Sequence, residues 1–122
     1  MGKIGANVVN MSVAHHDEVL AATSHLPHIL AYSLVDTLAK MEDRTEIFQF
    51  AAGGFRDFTR IASSDPKMWH DICLANRDAI LKTLESFNIE LAKLTDAVRQ
   101  GDSQCIEDIF TRAKTARDKF AG

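Results

Sequence analysis

Residues 12–41, SVAHHDEVLAATSHLPHILAYSLVDTLAKM, decide the fold, because their apolar side chains recur at the three- and four-residue intervals of a helix. Ser12 is a suitable N-cap, so the pattern predicts a long helix that begins there. Pro27 lies inside this helix. It lacks a backbone N–H and leaves the carbonyl of Thr23 without its usual donor, at a cost of roughly 3 kcal/mol. We therefore predict that the first helix bends at Pro27.

The motif SHLPH, residues 24–28, places a histidine on each side of this bend. The three-residue spacing of His25 and His28 puts both imidazoles on one helix face, where they could approach the same ligand. A zinc site with His15 or His16 as a third ligand is geometrically conceivable, although thiolates and an H-E-x-x-H pattern are missing. The neighbouring serine lacks the surroundings of a nucleophile. An anion or polar-ligand site, and imidazoles that cap carbonyls freed by the proline, both stay open.

Helical patterns also cover the rest of the chain. Gly53 and Gly54 are predicted to interrupt the helical pattern before a short amphipathic segment. Asp65-Pro66 is a clear helix start. An apolar seam then predicts one helix over residues 66–100, about 50 Å long, which ends before Gly101. Such a length exceeds what a small domain can cover, so part of the seam is expected to pack against another chain or domain. The seam consists of Ile80, Leu84, Phe87, Leu91, Leu94 and Val98.

The predicted fold class is therefore all-α, a long-helix dimerisation domain with a bent first helix. Residues 1–12 have no helical period, and we expect a short extended segment or linker there. Residues 13–122 form the predicted helical domain.

Composition excludes several classes of function. The 122 residues carry 14 basic and 17 acidic side chains and a formal charge of −3, which argues against a nucleic-acid partner. No apolar run approaches the roughly 20 residues that span a bilayer, and the N-terminus lacks the apolar core of a signal peptide. We therefore expect no membrane partner and a cytoplasmic protein. The six glycines form neither a dinucleotide-binding fingerprint nor a phosphate loop.

A second cluster, GGFRDFTRIASSDPKMW, occupies residues 53–69 and concentrates aromatic residues, arginines and the chain's one tryptophan. By composition alone, Asp57 and Arg60 could be an ordinary surface pair, worth a few tenths of a kcal/mol. Trp69 could equally be a core residue.

Together the two motifs are similar to the C-terminal helical domain of the prephenate and arogenate dehydrogenase family. His16-Asp17 before SHLPH and Asn76-Arg77 after the second cluster extend this resemblance, which covers roughly residues 3–100. The resemblance implies an enzyme of tyrosine biosynthesis. Such enzymes oxidise the ring alcohol of prephenate or arogenate with NAD or NADP, and loss of the ring carboxylate as carbon dioxide makes the product aromatic.

The resemblance also implies roles for five residues. Arg60 matches the arginine that receives a substrate carboxylate, and a guanidinium fork suits this role. Asp57, one turn earlier, is expected to hold that fork. His25 and His28 match histidines that face the substrate pocket, and the second takes part in the response to tyrosine in some members. Trp69 matches an aromatic residue of the pocket wall near the dimer interface.

Half of the family's site has no counterpart in this sequence. The catalytic base, a histidine of the N-terminal Rossmann domain, and the glycine-rich cofactor loop are both missing. The resemblance therefore implies no catalytic, cofactor-binding or metal-binding residue in this chain. We expect a homodimer that is inactive alone and binds no cofactor by itself, with a Rossmann domain acting in cis or in trans. The alternative is a free-standing module that binds prephenate, arogenate or tyrosine without chemistry, or that only dimerises.

Overall fold

The computed structural model describes residues 12–121. The predicted extended segment, residues 1–12, lies outside this range except for Ser12. The helices that the structure describes are α1 (Val13–Leu20), a π-helical segment (Ala21–His25), α2 (Leu26–Ala39), α3 (Arg44–Gln49), α4 (Gly53–Thr59), a 3₁₀ turn (Arg60–Ser63), α5 (Pro66–Ala75), α6 (Arg77–Gln100) and α7 (Ser103–Ala121). The described residues contain no strand, which confirms the all-α class. None of these helices is both long and apolar enough to cross a membrane.

The first helix confirms the predicted start and bend. The hydroxyl oxygen of Ser12 accepts a hydrogen bond from the backbone N–H of His15 at 3.2 Å, so Ser12 is the N-cap. Helical structure then continues through α1, the π-helical segment and α2. The π-helical segment ends two residues before Pro27. Irregular turns of this kind bend helices and are frequent at functional sites.

Two local predictions between residues 40 and 60 need correction. The short helix α3 follows α2 and was not predicted. Gly53 and Gly54 do not interrupt the helical structure, because they form the first turn of α4. The break lies one residue earlier, where Ala52 has an extended backbone with φ −90° and ψ 176°.

The prediction of one helix over residues 66–100 was wrong. The start at Asp65 is confirmed, since its carboxylate accepts from the backbone N–H of Lys67 at 3.0 Å. However, α5 ends at Ala75, and Asn76 leaves the helical region with φ −115° and ψ 36°. The helix resumes at Arg77 as α6. Asn76 alone therefore separates α5 from α6, and its side chain bonds to residues outside these two helices.

The chain divides into two compact units, Met1–Thr83 and Leu84–Gly122, and the division falls within α6. In the first unit, α2 packs against α3, α4 and the 3₁₀ turn. The Tyr32 hydroxyl donates a 2.7 Å hydrogen bond to the carbonyl of Ser64 and so fixes the end of that turn against α2. The buried apolar side chains described in this unit are Ala21, Ala31, Trp69 and Ile80.

The second unit contains the end of α6, a turn and α7. Gly101 has φ 65°, a conformation that favours glycine, and its N–H donates to the Val98 carbonyl at 3.1 Å. The N–H of Asp102 donates to Ala97 at 2.9 Å, which completes a Schellman motif. The Asp102 carboxylate then caps α7 by accepting from the N–H of Cys105 at 3.1 Å. The predicted helix end before Gly101 is confirmed.

Candidate functional site

The bend at Pro27 is stabilised by a histidine. Ahead of the proline, the N–H of Leu26 bonds to the carbonyl of Ala21, five residues back instead of four. After it, Nδ1 of His28 lies 2.8 Å from the Ser24 carbonyl oxygen and donates to it. His28 thus caps a carbonyl near the proline, but not the one that Pro27 was expected to leave without a donor. The capped carbonyl belongs to Ser24 rather than Thr23.

Trp69 of α5 joins both histidines into one cluster. The ring of His28 stacks on the indole with centroids 3.9 Å apart and planes 17° apart. The ring of His25 meets the same indole edge-on, at 5.8 Å and 78°. Trp69 is 8% exposed, and its indole nitrogen has no hydrogen-bond partner among the described residues. Three of the five predicted site residues therefore lie in direct contact, and Trp69 is part of the buried core as well.

Asn76 completes this cluster and had no predicted role. Its amide nitrogen Nδ2 donates to the backbone carbonyl of Asp17 at 2.9 Å and lies 3.3 Å from Nδ1 of His25. These contacts connect the break between α5 and α6 to α1 and to the end of the π-helical segment. The sequence held one sign of this role, since an asparagine with low helix propensity interrupts a helical pattern.

Burial sets the charge of His25. The pKa of this imidazole is lowered from its usual value, first by burial and second by the positive charge that His28 can carry. The carboxylate of Asp17 acts in the opposite direction but is the smallest of the three influences. His25 is therefore neutral at neutral pH, and only one of its ring nitrogens carries a proton.

Arg60 and Asp57 lie on the exposed surface of the same unit. Arg60 opens the 3₁₀ turn that packs against α2, the helix that carries His28. Among the described residues neither side chain forms an ion pair, and Asp57 does not hold the guanidinium of Arg60. The predicted contact between these two residues stays a prediction.

Two shallow grooves border the cluster, and neither is lined by His25 or His28. Each has a volume of about 530 Å³. Trp69 lines one of them with Tyr32 and Cys73, and Asn76 lines the other with Glu18 and Lys82. In the part of the chain that the structure describes, no group of three or more histidine, cysteine or acidic side chains could hold a metal ion. The cluster is thus suited to hydrogen bonding and aromatic contact.

The fold and the site define an all-α domain whose histidine–tryptophan cluster is built on a bent first helix. The chain belongs to the family described as "Prephenate dehydrogenase, dimerization domain", whose model matches residues 12–112. This match confirms the resemblance derived from the two sequence motifs.

Curated and solved relatives agree with this assignment. The chain is 43% identical over 117 residues to a cyclohexadienyl dehydrogenase of Zymomonas mobilis, covering 94% of this chain and 40% of the relative. It is 46% identical over 114 residues to a prephenate dehydrogenase of Bacillus subtilis, covering 93% and 30%. A crystal structure of prephenate dehydrogenase from A. aeolicus, in complex with hydroxyphenyl propionate and NAD+, has a TM-score of 0.83 and 39% identity, covering 90% and 39%. The chain thus spans 30% to 40% of the length of these relatives.

Proposed function

We propose that this chain is the helical domain of a prephenate or arogenate dehydrogenase, an enzyme of tyrosine biosynthesis, and that it acts in the cytoplasm. In this role it supplies the dimer interface and the side of the active site that binds a substrate carboxylate. The observation that carries the proposal is the cluster of His25, His28 and Trp69. It joins both sequence motifs of the family in one place.

Arg60 is the proposed carboxylate-binding residue. Its side chain is exposed and free of ion pairs among the described residues, so its planar fork is open to a ligand. The 3₁₀ turn that it opens is fixed against α2 through the bond from Tyr32 to Ser64. A rigid support of this kind lowers the entropy cost of holding the guanidinium in place. In the proposed site, the histidine–tryptophan cluster forms the wall next to the guanidinium.

The described residues do not fit a nicotinamide cofactor. They form helices joined by short turns and contain no strand followed by a glycine-rich turn, the unit that binds the pyrophosphate of a dinucleotide. We therefore assign NAD or NADP, and the base that takes the substrate's hydroxyl proton, to a Rossmann domain in the same chain or in another. This helical domain binds and orients the substrate.

A second copy of the chain is the proposed partner of the second unit. Its apolar side chains Ile89, Leu91 and Val98 are 58%, 46% and 61% exposed. Leu91 and Val98 belong to the predicted apolar seam, which has a coiled-coil spacing. Leu91 and Val98 lie seven residues apart and share one helix face, and exposed apolar side chains on one face indicate an interface. The family description names dimerisation.

A chimera tests the proposed function. This chain is 43% identical to the Zymomonas mobilis relative over 117 residues. We would join it to the Rossmann domain of that relative. The chimera is expected to reduce NAD⁺ or NADP⁺ when prephenate or arogenate is added, whereas this chain alone is expected to show no turnover. Turnover by the chain alone would overturn the assignment of the base. A folded, dimeric chimera that binds the cofactor but turns over neither substrate would overturn the proposed function.

A further inference from the structure

The contacts of Asn76 identify which nitrogen of His25 carries the proton. A backbone carbonyl oxygen can only accept a hydrogen bond, so the side-chain atom that meets the Asp17 carbonyl at 2.9 Å must be the amide nitrogen. The same nitrogen faces Nδ1 of His25 at 3.3 Å. An amide NH₂ group only donates, and Nδ1 must therefore be the acceptor. In the neutral ring the proton is then on Nε2.

The contacts of His28 require the opposite arrangement. Its Nδ1 faces the Ser24 carbonyl at 2.8 Å, and because this oxygen only accepts, Nδ1 carries the proton. In neutral His28 the nitrogen Nε2 is then an acceptor. The two half-buried histidines of SHLPH therefore differ in tautomer.

We infer that Asn76 is a positioning residue, which holds His25 in the Nε2–H tautomer so that His25 presents a hydrogen-bond donor and His28 an acceptor. For the tautomers the inference rests on the contacts alone, and for the ligand it rests on the proposed function. A ligand oxygen that accepts, such as that of a carboxylate or carbonyl, is suited to His25. A hydroxyl that donates is suited to neutral His28.

Packing and charge support this assignment. The stacked and edge-on contacts with Trp69 fix the plane of each imidazole, and the contacts of Nδ1 with Ser24 and Asn76 fix which edge of each ring faces them. Protonation of Nδ1 in His25 would set two donors against each other at Asn76. Burial also lowers the pKa of His25. A positive charge on His28 lowers this pKa further, whereas the negative charge of Asp17 raises it. Protonated His28, by contrast, keeps its bond to Ser24, because Nδ1 donates in both charge states.

Nitrogen-15 NMR of the imidazole rings tests the inference in the full chain. Two-bond proton–nitrogen spectra distinguish a protonated ring nitrogen from a bare one, and His25→Gln and His28→Gln assign the two rings by loss of their signals. We expect a bare Nδ1 in His25 at neutral pH and a protonated Nδ1 in His28. A protonated Nδ1 in His25 overturns the inference.

Asn76→Asp then tests the cause. The variant keeps the shape of the side chain but replaces the donor with an acceptor, so His25 is expected to move its proton to Nδ1 or to gain a second proton. Asn88→Asp is the matched control, because Asn88 is an exposed asparagine of the second unit. It should leave the signals of His25 unchanged. A folded Asn76→Asp chain with unchanged His25 signals overturns the positioning role. These spectra need no substrate, so an inactive chimera would leave the inference intact while it refuted the proposed function.

Discussion

Each of the two units of this chain is stabilised by a different kind of internal contact. In the first unit, side-chain hydrogen bonds join residues far apart in sequence, such as Tyr32 to Ser64 and Asn76 to Asp17. Lys82 also bonds to Glu18 across 64 positions. In the described part of the second unit, every side-chain hydrogen bond joins residues three or four positions apart. The first unit therefore relies on tertiary contacts between distant residues, whereas the described part of the second unit relies on contacts between near neighbours in sequence.

The largest expected effect concerns the core of the first unit. Trp69→Ala removes a buried indole and its contacts with both histidines, and we expect a loss of about 3–5 kcal/mol in the free energy of unfolding. Urea unfolding followed by circular dichroism, at one protein concentration, measures this loss. The control is Met68→Ala at the neighbouring, 47% exposed position, where less than about 1 kcal/mol is expected. Equal losses in the two variants would show that Trp69 does not support the unit.

The next effect concerns the partner of the second unit. Val98→Asp places a charge on the exposed apolar seam, and we expect the dimer dissociation constant to rise by at least roughly 100-fold. Light scattering over a dilution series measures this constant. Gln100→Asp carries the same new charge near the same helix end, but on a polar position, and should remain dimeric. A monomeric wild-type chain would contradict the proposed interface directly.

Arg60→Ala separates function from stability in the first unit. Loss of a charge-assisted contact with the substrate carboxylate is expected to lower kcat/KM of the chimera by roughly 10- to 150-fold, or about 1.5–3 kcal/mol. The urea midpoint should stay close to that of the wild type, since the side chain is exposed. Arg56→Ala, at an exposed arginine one turn away in α4, is the control. If both variants lose the same activity, Arg60 has no specific role.

The smallest effect concerns the pH dependence of the first unit. Because the pKa of His25 is lowered in the folded chain, mainly by burial, the unfolded chain binds more protons at this residue. Its contribution to stability is therefore complete above the usual value of 6.5 and is lost as pH falls towards the folded pKa. The urea midpoint of His25→Gln should fall less than that of the wild type on mild acidification. His15→Gln, at an exposed position, should behave like the wild type.

Much of the fold could be predicted because helix boundaries depend on local chemistry. The caps at Ser12, Asp65 and Asp102 each bond to a backbone N–H two or three residues away, and Gly101 has the positive φ that favours glycine. A reader of the sequence can recognise such signals without knowing the packing. The predicted unbroken helix over residues 66–100 failed because Asn76 is held by atoms of Asp17 and His25, more than 50 positions earlier.

The sequence by itself determined the all-α class, most helix boundaries and the two motifs that mark the family. Only the tertiary structure decided that Trp69 lies against both His25 and His28, and that Asn76 sets which ring nitrogen of His25 accepts. The physical reason is the range of the interactions. Caps and apolar periodicity act within a few residues, whereas ring stacking and the orientation of a buried amide depend on which helices the fold brings together.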